Sequence, residues 1–193
     1  MHPRYETEQC LEAFSKKKPT LFAGVPAIYT AICNHPDVLD GKVDFSSLKY
    51  SISGGASLPI AVKHKFEALS GCSLTEGYGL SETSPIACTQ PIPEDGKERR
   101  EREATIGIPV PGTRIDIISL DDGETVLGYG EENRGEVCIS GPQVMQGYWQ
   151  NDAETKECFD SEGRFHTGDI GYMDAEGYTF IVDRKKDMIL TGN

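Results

Sequence analysis

Four short segments of this sequence carry residue types that chemistry needs in combination. Ser53-Gly54-Gly55-Ala56 places two glycines where a flat ligand can lie against bare backbone. Glu76-Gly77-Tyr78-Gly79-Leu80-Ser81-Glu82-Thr83 offers an aromatic face in Tyr78, a hydroxyl donor in Ser81 and a hard oxygen ligand in Glu82. Stacking, phosphate hydrogen bonding and Mg²⁺ coordination need those three properties. His166-Thr167-Gly168-Asp169 ends on a carboxylate, which can accept the protons of two vicinal hydroxyls at once. Asp183-Arg184-Lys185-Lys186 is a mainly cationic run. Each also has a plainer reading: a tight turn, a core tyrosine, a braced loop, a solvated strand end. Two rival chemistries fail on spacing. Gly79-Leu80-Ser81 begins a Gly-x-Ser-x-Gly hydrolase elbow, but Thr83 stands where its second glycine is required. His166 and Asp169 lack the further ligands that a metal centre needs.

The elements that must position these segments change character along the chain. Residues 1–103 read as an α/β portion. Glu6 to Lys18 has Cys10, Leu11 and Phe14 at helical spacing, with Pro19 as a stop. Thr20 to Ala23 suits a buried strand; Pro26 opens a second helix that ends near Pro36; Lys49 to Ser53 is a strand running into the glycine pair. Ser57 can cap a third helix carrying Val62, Phe66 and Leu69, closed by Gly71. Residues 104–193 read as a β-rich portion, a small antiparallel sheet or distorted barrel. Its strands are Arg114 to Ile118, Gly135 to Ser140, Gly171 to Met173 and Tyr178 to Asp183, separated by turn signals. Glu94 to Glu103, mixed in charge, reads as a solvated, mobile loop.

With 37% hydrophobic and 26% charged residues, the 193-residue chain has globular composition. Its net charge of −12 is uneven: 12 basic and 14 acidic residues up to position 103, then 7 and 17. Such a surface repels phosphate backbones, which argues against nucleic acid as a partner. The apolar runs are too short to span a bilayer, the first residues lack a signal-peptide stretch, and six scattered cysteines form no Cys-x-x-Cys pair. Reduced thiols in a cytoplasmic setting are the expectation.

In this order, and with Ile106-Gly107-Ile108-Pro109 and Gly147-Tyr148-Trp149 as further signposts, the segments resemble the adenylate-forming (AMP-binding) superfamily. They are most similar to its long-chain fatty-acyl-CoA ligases, over nearly the whole chain. The resemblance implies an internal fragment of the family's large N-terminal domain. It further implies an acid–thiol ligase: a carboxylate is joined to the α-phosphate of ATP with release of pyrophosphate, then AMP is exchanged for coenzyme A. Carried over residue by residue, Gly54, Gly55 and Ala56 line the adenine and border the acyl pocket. Glu76, Gly77, Tyr78 and Gly79 join them around the nucleotide, with Tyr78 against the base. Ser81 meets the α-phosphate and Glu82 the Mg²⁺, which makes these two the catalytic candidates. Asp169 and Arg184 hold the ribose, and Lys186 is the hinge to the family's C-terminal lid. Ser81 replaces the family's frequent threonine and keeps the hydroxyl.

The sequence holds no Gly-rich Ser/Thr-Gly-Lys phosphate loop and no lid lysine. In the family these lie upstream and downstream, and they supply cationic stabilisation of the transferring phosphate. The expectation is therefore that this chain alone is inactive and tends to dimerise. Fatty acid and CoA are the implied substrates, and a peripheral membrane contact is left open for the parent protein. The alternatives are a non-catalytic nucleotide- or acyl-binding module, a ligase for an aryl or amino acid, and a purely structural acidic domain.

Overall fold

The computed structural model of the chain describes residues 4–91 and 102–185. Lys186 and most of the charged run from Glu94 to Glu103 lie outside them. By internal packing the chain divides into two units, one ending at Gly77 and one beginning at Tyr78. The sequence pattern instead suggests a division at 103/104.

The first unit is a three-stranded parallel sheet with helices. Its elements are α1 (Thr7–Lys17), β1 (Leu21–Gly24), α2 (Pro26–Asn34), α3 (Pro36–Leu39), β2 (Tyr50–Ser53), α4 (Ile60–Ser70) and β3 (Ser73–Tyr78), whose last residue opens the second unit. Helix α1 turns Leu11 and Phe14 inward, as its spacing predicts. Tyr29 of α2 is fully buried, 4.9 Å ring to ring from Phe66 of α4, and its hydroxyl donates to the Ile52 carbonyl at 2.9 Å. Sheet register places Gly24, Ser53 and Glu76 level with one another. Gly54, just past β2, and Gly77, near the end of the adjacent β3, therefore lie at the carboxyl edge, where open parallel sheets bind ligands.

Two sequence readings change here, and one strand was not read. Pro36 does not merely end α2; it opens α3, where the His35 ring accepts the Asp37 amide at 3.2 Å. Ser57 caps nothing, because α4 begins at Ile60 behind Pro59 and has no side-chain cap. Ser73–Tyr78 is a strand despite its glycine and polar residues, since the sheet buries Leu74 and Thr75 completely or nearly so.

The second unit contains β4 (Cys88–Thr89) paired antiparallel to β5 (Ile108–Pro109), and a four-stranded antiparallel sheet. That sheet runs in order β6 (Arg114–Ile118), β7 (Gly135–Ser140), β8 (Phe165–Met173) and β9 (Thr179–Arg184). Ile115, Ile117, Val137 and Ile139 form its core with Ala87, Cys88 and Ile106. Among the described residues the sheet does not close into a barrel. Strand β8 starts six residues earlier than expected, because its first half is polar and hid the alternation. Helix α5 (Asp152–Glu157) buries no residue, so it left no apolar stripe; Asn151 caps it by accepting the Glu154 amide.

Arg102, at the end of the charged run, is held by its neighbours. Its guanidinium pairs with Asp174 and Glu176 and lies 4.7 Å above the Tyr178 ring. Cys33 and Cys72 sit in the first unit's core, Cys88 and Cys138 in the second's, and none of the six cysteines is disulfide-bonded. No helix among the described residues is long and apolar enough to cross a membrane.

Candidate functional site

In the first unit the glycine pair follows β2 directly. The Gly54 amide donates to the Gly24 carbonyl at 3.1 Å, while Gly55 takes a φ of +80° that favours glycine. A Cβ on Gly54 would lie 3.4 Å from the Gly77 carbonyl oxygen, so these two backbones run close together. Gly55 and Ala56 are exposed, and the Ser53 hydroxyl beside them is fully buried with no hydrogen-bond partner. Glu76 accepts the Leu58 amide at 3.3 Å, and burial raises its carboxyl above the usual range. Its carboxylate thus serves the loop after Ala56.

In the second unit β8 and β9 carry opposed charges. Register sets Asp169 directly across from Arg184, whose Nε lies 3.2 Å from Asp169 Oδ1. The other carboxylate oxygen, Oδ2, accepts the Tyr78 hydroxyl at 2.6 Å. Asp169 is 4% exposed, so both oxygens are held in a fixed direction. Burial and the neighbouring Asp169 keep the Tyr78 phenol protonated far above its ordinary range. A cleft of about 400 Å³ opens here, lined by Leu80, Thr167, Gly168, Asp169, Arg184 and Lys185. Of the sequence candidates, Tyr78, Asp169 and Arg184 are brought together by direct contacts.

The segment after Tyr78 is a tight turn. Thr83 Oγ1 accepts the Leu80 amide at 2.9 Å and lies in donor range of the Leu80 and Pro85 carbonyls. A 3₁₀ turn from Ser81 to Thr83 follows, with Ser81 exposed and Glu82 half-buried. Glu82 Oε1 accepts the Tyr148 hydroxyl at 2.8 Å, and that bond pushes the phenol up to about 12. Tyr148 belongs to a signposted segment, but spacing gives no hint of a partner 66 residues away.

Sequence reasoning also missed Glu136, which lies in a strand that otherwise reads as sheet core. Its side chain is 5% exposed and accepts Gly168 N–H at 3.0 Å, His166 Nδ1 at 3.0 Å and Lys185 Nζ at 2.9 Å. His166 also stands 3.6 Å from Asp160, which pairs with Arg164 at 2.5 Å. Burial works to raise the Glu136 carboxyl, but the bonds from His166, Lys185 and Gly168 outweigh it and hold it below its ordinary value. Asp160 is likewise lowered: burial opposes, and Arg164 prevails.

A carboxylate lowered by folding contributes stability above its unfolded pKa, about 4.3 for Glu and 3.9 for Asp. That contribution fades as pH falls through the folded value. Calorimetry from about pH 7 to about pH 3 should therefore show wild type melting above Glu136→Gln and Asp160→Asn at neutral pH, with the gap narrowing on the acid side. A gap that stayed constant would remove these carboxylates from the acid response.

The family model described as AMP-binding enzyme matches residues 1–149. The chain belongs to the AMP-binding enzyme family. Within that family, a long-chain-fatty-acid–CoA ligase of Bacillus subtilis (strain 168) is 42% identical over 190 residues, which is 98% of this chain and 32% of that protein. The ATP-bound structure of MatB from Rhodopseudomonas palustris matches with a TM-score of 0.82 at 28% identity, covering 100% of this chain and 36% of the other. The anthranilate CoA ligase AuaEII in complex with anthranoyl-AMP matches at 0.81 and 26% identity, covering 100% and 35%. The chain thus spans about a third of the length of these AMP-binding relatives.

Proposed function

We propose that this chain contributes adenine- and ribose-binding elements of an ATP-dependent long-chain fatty-acid–CoA ligase. The observation that carries the reading is the buried Asp169 carboxylate, aimed by Tyr78 and Arg184 at the edge of an open cleft. One carboxylate with a neighbouring cation suits the two hydroxyls of a ribose. Likeness to the Bacillus subtilis ligase supports fatty acid and CoA as the substrates.

In this reading Asp169 and Arg184 bind the ribose of ATP or AMP. Tyr78 packs against adenine, with Gly54, Gly55, Ala56, Glu76, Gly77 and Gly79 as further contributors to the nucleotide slot. Ser81, exposed at the start of its turn, donates to the α-phosphate, and Lys186 is the hinge. Among the described residues no group of three or more His, Cys, Asp or Glu side chains can hold a metal. Mg²⁺ does not require one, since it commonly binds through one or two carboxylates plus phosphates and waters. Glu82 fits that role: Tyr148 engages one oxygen and fixes the carboxylate's direction. Held by Glu82, such an ion would supply neutralisation of phosphate charge. The 193-residue chain by itself is proposed to lack the full reaction, because its sequence holds no Gly-rich phosphate loop.

The test follows pyrophosphate release from ATP against a panel of fatty, aryl and amino acids, using a protein of the relatives' length that carries this chain. Long-chain fatty acids should give the highest kcat/KM. Glu82→Gln should lower adenylation by roughly a hundredfold, the scale of losing one electrostatic group. Transfer of a preformed acyl-adenylate to CoA should suffer much less. A preference for aryl acids would redirect the substrate assignment, and unchanged pyrophosphate release at limiting Mg²⁺ would remove Glu82 from the metal.

A further inference from the structure

We propose that Glu136 is a positioning residue for the Asp169–Arg184 pair, acting as a buried clamp between the strand ends that carry it. The inference rests on the nucleotide reading above, since it concerns the same cleft. The hydrogen bonds of the Glu136 carboxylate go to neither Asp169 nor Arg184. It holds their outer neighbours instead: Oε1 accepts the Gly168 amide, one residue before Asp169, and Oε2 accepts Lys185 Nζ, one residue after Arg184. The Lys185 amide in turn donates to the Gly168 carbonyl at 2.8 Å. One carboxylate on β7 therefore ties together the two positions that flank the cross-strand pair.

Chemistry and packing both favour this role. Gly168 has a φ of +75° and interrupts the regular ladder at the site. Register on both sides is also irregular, shifting between Glu136 and Cys138 and between Ile170 and Gly171. With the ladder weakened there, a side chain must supply what regular backbone pairing does not. Lys185 is 57% exposed and lines the cleft, so without a buried anion its ammonium would be free to swing across the opening. His166, braced from its far side by Asp160 and Arg164, limits movement of Glu136 itself. Thr167 is fixed separately through its hydroxyl to the Val137 carbonyl at 2.7 Å.

Glu136→Gln separates the parts of the clamp. The amide keeps one oxygen for Gly168 but loses the charge that attracts Lys185. Calorimetric titration with AMP, well below the melting temperature, should show Kd rising roughly tenfold, equivalent to about 1.4 kcal/mol. Lys185→Gln should weaken binding too, and the double variant should be no weaker than Glu136→Gln alone. A folded Glu136→Gln protein with wild-type Kd overturns the proposal, as does full additivity of the two variants. Hydrogen exchange without nucleotide gives a readout independent of AMP. The Lys185 amide should exchange faster in Glu136→Gln, whereas amides of the β6–β7 pairing should not change. If wild type itself shows no affinity for AMP, the nucleotide reading fails, and exchange at Lys185 alone decides the clamp: unchanged exchange overturns it. Should Glu136→Gln not fold, Lys185→Met carries the same exchange test with Glu136 intact.

Discussion

Asp169→Ala should weaken AMP binding by roughly ten- to a hundredfold. The estimate follows from losing hydrogen bonds to a charged group, each worth about 1.5–3 kcal/mol. The substitution also strands the Tyr78 hydroxyl and the Arg184 guanidinium, which both point at the missing carboxylate. Because Asp169 is buried, a melting curve must accompany the titration. Asp169→Asn is the sharper variant. It preserves volume and one acceptor, so a folded protein that still loses affinity assigns the effect to charge. Equal AMP affinities for wild type and both variants would remove Asp169 from the nucleotide site.

Gly79→Ala is expected to be the most damaging small substitution in the same segment. A Cβ there would overlap the Pro85 carbonyl oxygen, 2.7 Å from its carbon and 2.9 Å from Ile86 Cα. All three atoms are backbone, so no rotamer change relieves the clash and the turn carrying Ser81 and Glu82 must shift. Overpacking against rigid atoms costs about 3 kcal/mol, a fall in Tm of roughly 6–12 °C for a chain of this size. Gly54→Ala provides the comparison. Its Cβ would meet the Gly77 carbonyl oxygen at 3.4 Å, an ordinary contact, so stability should change by less than about 1 kcal/mol. Calorimetry on the two variants distinguishes a glycine required by packing from one that merely leaves room for a ligand. Similar melting of Gly79→Ala and wild type would refute the close approach.

What the sequence revealed, and what it hid, follows from the range of the forces involved. Local patterns carried far: Leu11 and Phe14 marked α1, Pro26 opened α2, and Arg114 to Ile118 and Gly135 to Ser140 have the bounds read from their β-rich composition. Elements without an apolar stripe stayed hidden, as α5 and the polar first half of β8 illustrate. The site shows the same divide. Tyr78, Asp169 and Arg184 were recognisable as motif residues, but the bond joining Tyr78 to Asp169 spans 91 positions and no spacing rule reaches it. Glu136 was invisible for a different reason. In a strand otherwise suited to a sheet core, one acid looks like an outward-facing residue until its three donors are known.

The buried thiols make the protein its own reporter of opening. Burial pushes the Cys88 thiol up to about 12 and raises Cys138 and Cys33 as well. Only the thiolate attacks a disulfide reagent, so at neutral pH the closed protein offers these sulfurs neither access nor reactivity. Labelling must wait for each enclosure to breathe. Cys33 and Cys72 mark the first unit, and Cys88 and Cys138 mark the second. Rates of modification, resolved by mass, would thus time the fluctuations of each half independently, without a dye, a tag or an engineered residue.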